Sequence, residues 1–347
     1  MGILSKSKKE EETKEERFVA RKKERLTSKP TSRRKKQEPV PWGKKERSLI
    51  FYVFLGTILA STVLAFSARK WKLPGLPKLS LPSFKRGPIV IEKDKAEMDE
   101  KAIQTIKSFK EKTISLSGVY GFYLIRLSSG VSYGVNENDI FEPASLNKLP
   151  VMLAAYIEVE NGDLDLEDTY KLKNSDKVAG SGSLYGRSEG YELTYRDILE
   201  YMGKESDNTA ANILKQLIGE EKINQAIESM EMENTITIGE DQQTTPVDIG
   251  HFFEKLWEGD VISKKHRDEF LSFITDTIYE EWLAAGVPSG TDVAHKYGRE
   301  IHVVNDAGII FADEPVVLVL LSKGAVEREA DEMYPELSRD IYNREIK

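Results

Sequence analysis

The chain has 347 residues, 39% hydrophobic and 31% charged, with no cysteine and a formal net charge of −8. Lack of cysteine excludes disulfides, thiol nucleophiles and thiolate metal sites. Residues 1–47 carry 17 Lys and Arg against 8 Asp and Glu, a net of +9, so the remaining 300 residues carry −17 and the global figure hides a basic tail ahead of an acidic body.

The tail is too poor in apolar residues to offset its conformational entropy. It is expected to be disordered, a solvated cytoplasmic arm near anionic lipid rather than a nucleic-acid arm. Residues 48–68 form an uncharged run of 21 residues, and about 1.5 Å of rise per residue lets such a run cross a hydrocarbon core of about 30 Å. It is read as a transmembrane helix, with Trp42 and Trp71 flanking it at headgroup depth. A cleaved signal peptide is the rival reading, disfavoured by the long charged stretch in front. The basic tail puts the N-terminus in the cytoplasm and the rest of the chain outside a cell membrane, with the lipid bilayer as a partner. Residues 69–90 hold four of the 13 prolines and read as a semi-extended linker.

From residue 91 the pattern becomes globular. A first helix is expected where Met98, Ile103, Ile106 and Phe109 fall near one face. Residues 119–127 and 131–135, rich in β-branched and aromatic side chains, make a hairpin around Ser128-Ser129-Gly130. Residues 145–160 are apolar on most sides, which predicts a helix buried in the middle of the domain. Further helices are predicted over 195–202, 209–217, 221–230, 246–257 and 264–275. Strands return at 293–299, 301–311 and 316–322, before a closing helix near 325–342. Strands at both ends with helices between them imply one sheet assembled from distant pieces, a helical second lobe, and a cleft where the two meet. The four histidines make no His-x-His or His-x-x-x-His pair, so neither a metal nor a cofactor is expected.

Three short strings carry chemistry: Ser145-Leu146-Asn147-Lys148, Ser206-Asp207-Asn208 and Lys296-Tyr297-Gly298. Each is weak alone, since Ser-x-x-Lys also occurs at 5–8, 32–35 and 67–70. Pro143 stands where helices accept proline in the first turn, which puts the Ser145 hydroxyl at a helix N-terminus, beside orphan N–H groups that stabilise developing negative charge. Lys148 is one turn on. In so apolar a setting its ammonium is disfavoured, and a lysine of lowered pKa can act as a base toward serine. The bland alternative makes Ser145 a cap, Lys148 a snorkelling side chain and Ser206-Asp207-Asn208 a second cap. Lys296-Tyr297-Gly298 lies in a strand, where glycine is costly unless something approaches the backbone closely.

Taken together, the three strings and their surroundings, FEPASLNKLPVM, LTYRDILEYMGKESDNTAANIL, TTPVDI and VAHKYG, resemble the motif set of class A β-lactamases and the related penicillin-binding D,D-peptidases over about residues 91–347. Ser145 and Ser206 are 61 apart, close to the family's roughly sixty. The resemblance implies an α+β fold, a five-stranded antiparallel sheet flanked by helices plus an all-helical lobe, here preceded by the transmembrane helix. It implies Ser145 as nucleophile, Lys148 as its base or base partner, Ser206 passing a proton to the leaving nitrogen, Asn208 holding the substrate amide and Lys148, and Lys296 shaping the field around a substrate carboxylate. Backbone N–H groups of Ser145 and Arg299 would form the oxyanion hole, beside Gly298, with Tyr185 as an aromatic gate.

Two departures stand out. Tyr297 occupies the middle of the third string, where the family has Thr or Ser to bind the substrate carboxylate. The loop that carries the family's water-activating glutamate is short by roughly a dozen residues, because Ser206 to Pro246 spans only 40 while Pro246 to Lys296 spans 50. Glu240, beside Asp241, is the candidate to activate water instead. The expected function is a membrane-anchored serine hydrolase of β-lactamase or D,D-peptidase type, forming an acyl-enzyme with β-lactams or D-Ala-D-Ala-type cell-wall peptides. The alternative is a non-catalytic or sensor-like cell-wall-binding domain.

Overall fold

The predicted hairpin forms β1 (Val119–Arg126) and β2 (Val131–Val135), with Phe122 opposite Val135 and Arg126 opposite Val131. Gly130 takes φ 70 in the connection, a backbone conformation glycine adopts without steric cost. The computed structural model describes Thr57 and residues 100–347. The chain divides into two units, Met1–Arg86 and Gly87–Lys347. The hairpin and every element that follows belong to the second.

The other strands come from the far end of the chain: β5 (Val293–Glu300), β6 (Val303–Ile310) and β7 (Val316–Lys323). They complete a five-stranded antiparallel sheet in the order β2-β1-β7-β6-β5. β6 is buried at every position, and β7 at all but Lys323, as strands covered on both faces must be. One face packs against α1 (Glu100–Thr113) and α8 (Glu327–Glu345), which share a buried hydrogen bond from Thr105 to Glu345 of 2.6 Å. α1 turns Ala102, Thr105 and Phe109 inward and leaves Ile103 exposed, a rotation of the expected face set by contact with α8. Met98 lies outside the described residues.

The other face packs against the helical middle, beginning with α2 (Lys148–Asn161), in which ten of 14 residues are buried, in accord with its all-round apolar pattern. A short pair, β3 (Thr169–Lys171) with β4 (Glu192–Thr194), adds to the predicted elements; three residues each are too few to show an alternation. Then follow α3 (Tyr195–Lys204), α4 (Asn208–Ile218), α5 (Glu220–Ser229), α6 (Pro246–Glu258) and α7 (Lys264–Phe273), each within a few residues of its predicted span. α3 starts at a reciprocal cap, Thr194 accepting from Asp197 N at 3.1 Å while Asp197 accepts from Thr194 N at 2.7 Å.

The expected transmembrane helix at 48–68 lies outside the described residues apart from Thr57, as do the tail at 1–47 and the linker at 69–90. Among the described residues no helix is long and apolar enough to cross a membrane. The longest, α8, has 19 residues and carries charge in every turn. The five-stranded sheet with its flanking helices stands. The transmembrane element is withdrawn, and with it the anchoring, the bilayer partner and the cell-membrane localisation derived from it.

Candidate active site

Ser145 does not open the buried α-helix. It lies in a 3-10 turn, Ala144–Asn147, that precedes α2, with Pro143 as the turn's N-terminal flank. Ala144 is driven to φ 48, a conformation costing a non-glycine residue of order 1 kcal/mol or more that persists only where the surroundings enforce it. The enforcement comes from the sheet: Asn305 in β6 donates from Nδ2 to Glu142 O at 2.8 Å, and Lys323 in β7 donates to Ile140 O at 2.7 Å. Asn305 is held in turn by Ser322 N, which donates to its Oδ1 at 3.1 Å.

Lys148, at the start of α2, is 4% exposed. Its Nζ lies 3.0 Å from Ser145 Oγ, 3.1 Å from Ser206 Oγ, 2.6 Å from Ser206 O and 2.7 Å from Asn208 Oδ1. Burial lowers its pKa to about 7, with Asp207 opposing and the charge of Lys215 adding to the fall. Ser206 is itself at φ 53, which turns both its carbonyl and its hydroxyl toward Lys148. The next residue, Asp207, is fully buried and caps α4 by accepting from Ala210 N at 2.9 Å. Its second oxygen accepts from Leu184 N at 2.8 Å, tying the Gly-rich loop to the helix.

Lys296 is fully buried and its ammonium is disfavoured, chiefly by burial and then by the nearby charge of Lys148. Nζ donates to Tyr297 O at 2.9 Å and lies 4.1 Å from the Tyr297 ring centroid. The Tyr297 ring packs on Tyr279, centroids 5.2 Å apart, among residues on the α1 and α8 side of the sheet. The side chain in the family's carboxylate-binding position thus serves as a wall beside Lys296. Burial pushes the Tyr297 hydroxyl up to about 12, so it stays protonated.

Gly298 has a steric reason. A Cβ there would stand 2.8 Å from Ser145 N and 3.2 Å from Pro143 O. β5 is an edge strand, and His295 N donates off that edge to Ile274 O at 2.7 Å. Backbone groups alternate along a strand, so the N–H of Arg299, four residues on, also points off the edge, on the side where Gly298 meets Ser145. The Arg299 guanidinium is turned away, paired with Asp331 and lying 5.2 Å from the Trp282 ring.

A cavity of about 660 Å³ opens over Ser145 and Lys148 and is lined also by Glu142, Asn147, Asn208, Asn212, Lys215, Glu240, Asp241, Gln242 and Glu300. Glu240, from the shortened loop, therefore shares the cavity with Ser145. The loop is held by Asn147, whose Nδ2 donates to Gln242 Oε1 at 2.5 Å. Tyr185 does not line the cavity: it lies in a 3-10 turn and is 52% exposed, because the anchoring of Leu184 by Asp207 buries the leucine and leaves its neighbour outside. Sequence reasoning passed over Asn212 and Lys215, which spacings of one and two turns from Asn208 along α4 would have revealed, and Asn305, a polar residue in an apolar strand.

The model of the beta-lactamase enzyme family matches residues 100–344. The extended-spectrum β-lactamase PER-1 of Pseudomonas aeruginosa is 21% identical over 240 residues, covering 61% of this chain and 78% of that protein. Among solved structures, PBP-A superposes with a TM-score of 0.65 at 24% identity, over 69% of this chain and 95% of that one. A PBP-A mutant solved as an acyl-enzyme complex with penicillin G gives 0.64 at 25%, over 69% and 94%. The family model matches nearly the whole described domain, in which the first two strings line one cavity and the third is held against the Ser145 turn, and the chain belongs to the beta-lactamase enzyme family.

Proposed function

We propose that the protein is an active-site serine hydrolase in which Ser145 attacks the carbonyl of a β-lactam or a D-alanyl peptide and becomes acylated. The observation that carries this reading is the environment of Lys148. A neutral amine has two N–H donors and one lone pair. Ser206 O and Asn208 Oδ1, at 2.6 and 2.7 Å, are acceptors that take both donors. The lone pair is left for the hydroxyls of Ser145 and Ser206 at 3.0 and 3.1 Å, the arrangement a general base needs.

In the acylation step the Ser145 Oγ–C bond forms as its proton passes to Lys148 Nζ. The scissile C–N bond then breaks, and the leaving nitrogen receives a proton through Ser206. Ser145 N–H and Arg299 N–H, brought together by the close approach of Gly298, receive the developing oxyanion. A substrate carboxylate beside Lys296 would favour the ammonium that burial disfavours in the free protein, with Tyr297 shaping that end and Asn208 holding the amide.

The same reading assigns slow release of the acyl group. The shortened loop removes the segment that bears the family's glutamate, and Glu240, which lines the cavity, is the carboxylate left to activate water. The PBP-A mutant of known structure holds penicillin G as an acyl-enzyme. The test is a fluorescent penicillin on the protein, with the adduct followed by mass. The expected result is one covalent adduct, absent in Ser145→Ala, lasting for hours and lasting about tenfold longer in Glu240→Gln. A label that persists in Ser145→Ala would overturn the assignment, and rapid turnover of a chromogenic cephalosporin would overturn the slow-release part.

A further inference from the structure

We infer that Lys215 is a receptor for a second carboxylate on the acyl donor, one carried by the donor's substituent rather than the carboxylate next to the scissile bond. The inference rests on the acylation of Ser145, since that step sets where the donor lies.

Lys215 is the third member of a stripe on α4. Asn208, Asn212 and Lys215 fall at i, i+4 and i+7, one face of a helix, and all three line the cavity over Ser145. The other two are committed. Asn208 Oδ1 accepts from Lys148 at 2.7 Å, and Asn212 Nδ2 donates to Asp176 O at 2.9 Å. Among the described residues the Lys215 ammonium makes no hydrogen bond and no ion pair. It is partly buried, and burial is the one cause that lowers its pKa, with no carboxylate among the described residues offsetting that cost. A lysine in the last turn of a helix is also favoured by the helix dipole, but that role is served by an ammonium in water and gives no reason to turn it into a cavity.

Position and reach agree. Seven residues separate Lys215 from Asn208, about 10 Å of helix, and helical side chains lean back toward the N-terminus, which brings the ammonium toward the reacting centre. Its charge is felt by Lys148. A donor acylating Ser145 therefore presents its substituent along α4, and a carboxylate there would meet a cation that no group among the described residues satisfies. The cavity of about 660 Å³ is of small-molecule size. The donor class is a β-lactam or peptide with an acidic group on the acyl side.

Carbenicillin and benzylpenicillin differ by one carboxylate on that substituent, so the ratio of their acylation rate constants reads the site. Lys215→Met is expected to lower the carbenicillin-to-benzylpenicillin ratio by about tenfold, and Lys215→Arg to restore most of it. Both rate constants will shift through Lys148, and the ratio cancels that shared effect. An unchanged ratio in Lys215→Met overturns the inference. A parallel measurement on Ser145→Ala, which cannot acylate, compares the Kd of the two penicillins with and without Lys215→Met. It reads the anion site even where no adduct forms, so a failure of acylation and a failure of this site give different results. Equal affinity for the two penicillins in the Lys215 protein would also overturn it.

Discussion

Gly298 and Ser145 meet backbone to backbone: a side chain's first carbon at position 298 would stand 2.8 Å from Ser145 N. The edge of β5 is thereby held against the turn that presents the serine, and the two N–H groups of the proposed oxyanion hole come from opposite sides of that contact.

Gly298→Ala is accordingly a test of preorganisation. The added methyl must push the strand edge from the Ser145 turn, and loss of an oxyanion donor costs roughly 100-fold or more. The expected outcome is a fall of about that size in the rate of penicillin acylation. The change in melting temperature should be only a few degrees, measured by stopped-flow labelling beside a thermal scan.

The pH dependence of acylation follows from Lys148. Burial brings its pKa to about 7, and only the neutral amine can accept the Ser145 proton, so the rate should rise with pH through about 7 and level off above it. Lys148→Arg, whose side chain stays charged, should lower acylation by about 100-fold or more. A profile flat between pH 6 and 8 would remove Lys148 from the role of base.

His295 should make stability depend on pH. Its ring is fully buried, with Nδ1 2.8 Å from Asp306 Oδ1 and Nε2 3.2 Å from Glu280 Oε1. Burial alone would lower the imidazole, but the two carboxylates outweigh it and raise its pKa to about 9, above the ordinary value near 6.5 of the unfolded chain. The stabilisation is complete below about pH 6.5 and is lost as pH rises through about 9, by an amount on the order of 3 kcal/mol. Buried Lys148, whose pKa falls to about 7, contributes in the opposite sense over the same range. The loss is therefore read as the stability difference between the protein and His295→Gln, which denaturant titrations at pH 6, 7.5 and 9 should show shrinking as the pH rises.

Asp207→Ala removes two buried hydrogen bonds at once, the cap to Ala210 N at 2.9 Å and the tether to Leu184 N at 2.8 Å. A lost cap costs about 1 kcal/mol, and an orphaned buried N–H about 1–3 kcal/mol more. A destabilisation of about 2–4 kcal/mol is expected in chemical unfolding, with slower acylation because Asn208, next in the chain, loses its anchor.

Much of the site is legible before folding is considered. Ser145, Lys148, Ser206 and Asn208 stand out by residue type and spacing, and the structure brings the other three within hydrogen-bond reach of the Lys148 amine. The hairpin, the apolar helix α2 and the long helices of the middle follow from periodicity. The rest is not legible, for identifiable reasons. The turn at Ala144 and the φ of 53 at Ser206 run against local preference and exist because Asn305, Lys323 and Lys148 impose them from elsewhere in the chain. The exposure of Tyr185 depends on which neighbour Asp207 anchors.

The sequence alone determined the chemical parts, their order, and the burial pattern that makes a sheet and a helical lobe, because these depend on residue type and period. Tertiary structure decided how the parts face one another. It brought Lys296 near Lys148 from 148 positions away in the chain, turned the Tyr297 ring onto Tyr279, and set Lys215 at the cavity with no partner among the described residues. Contacts between distant segments arise from packing shape, and packing shape is a property of the whole fold that no local stretch of sequence contains.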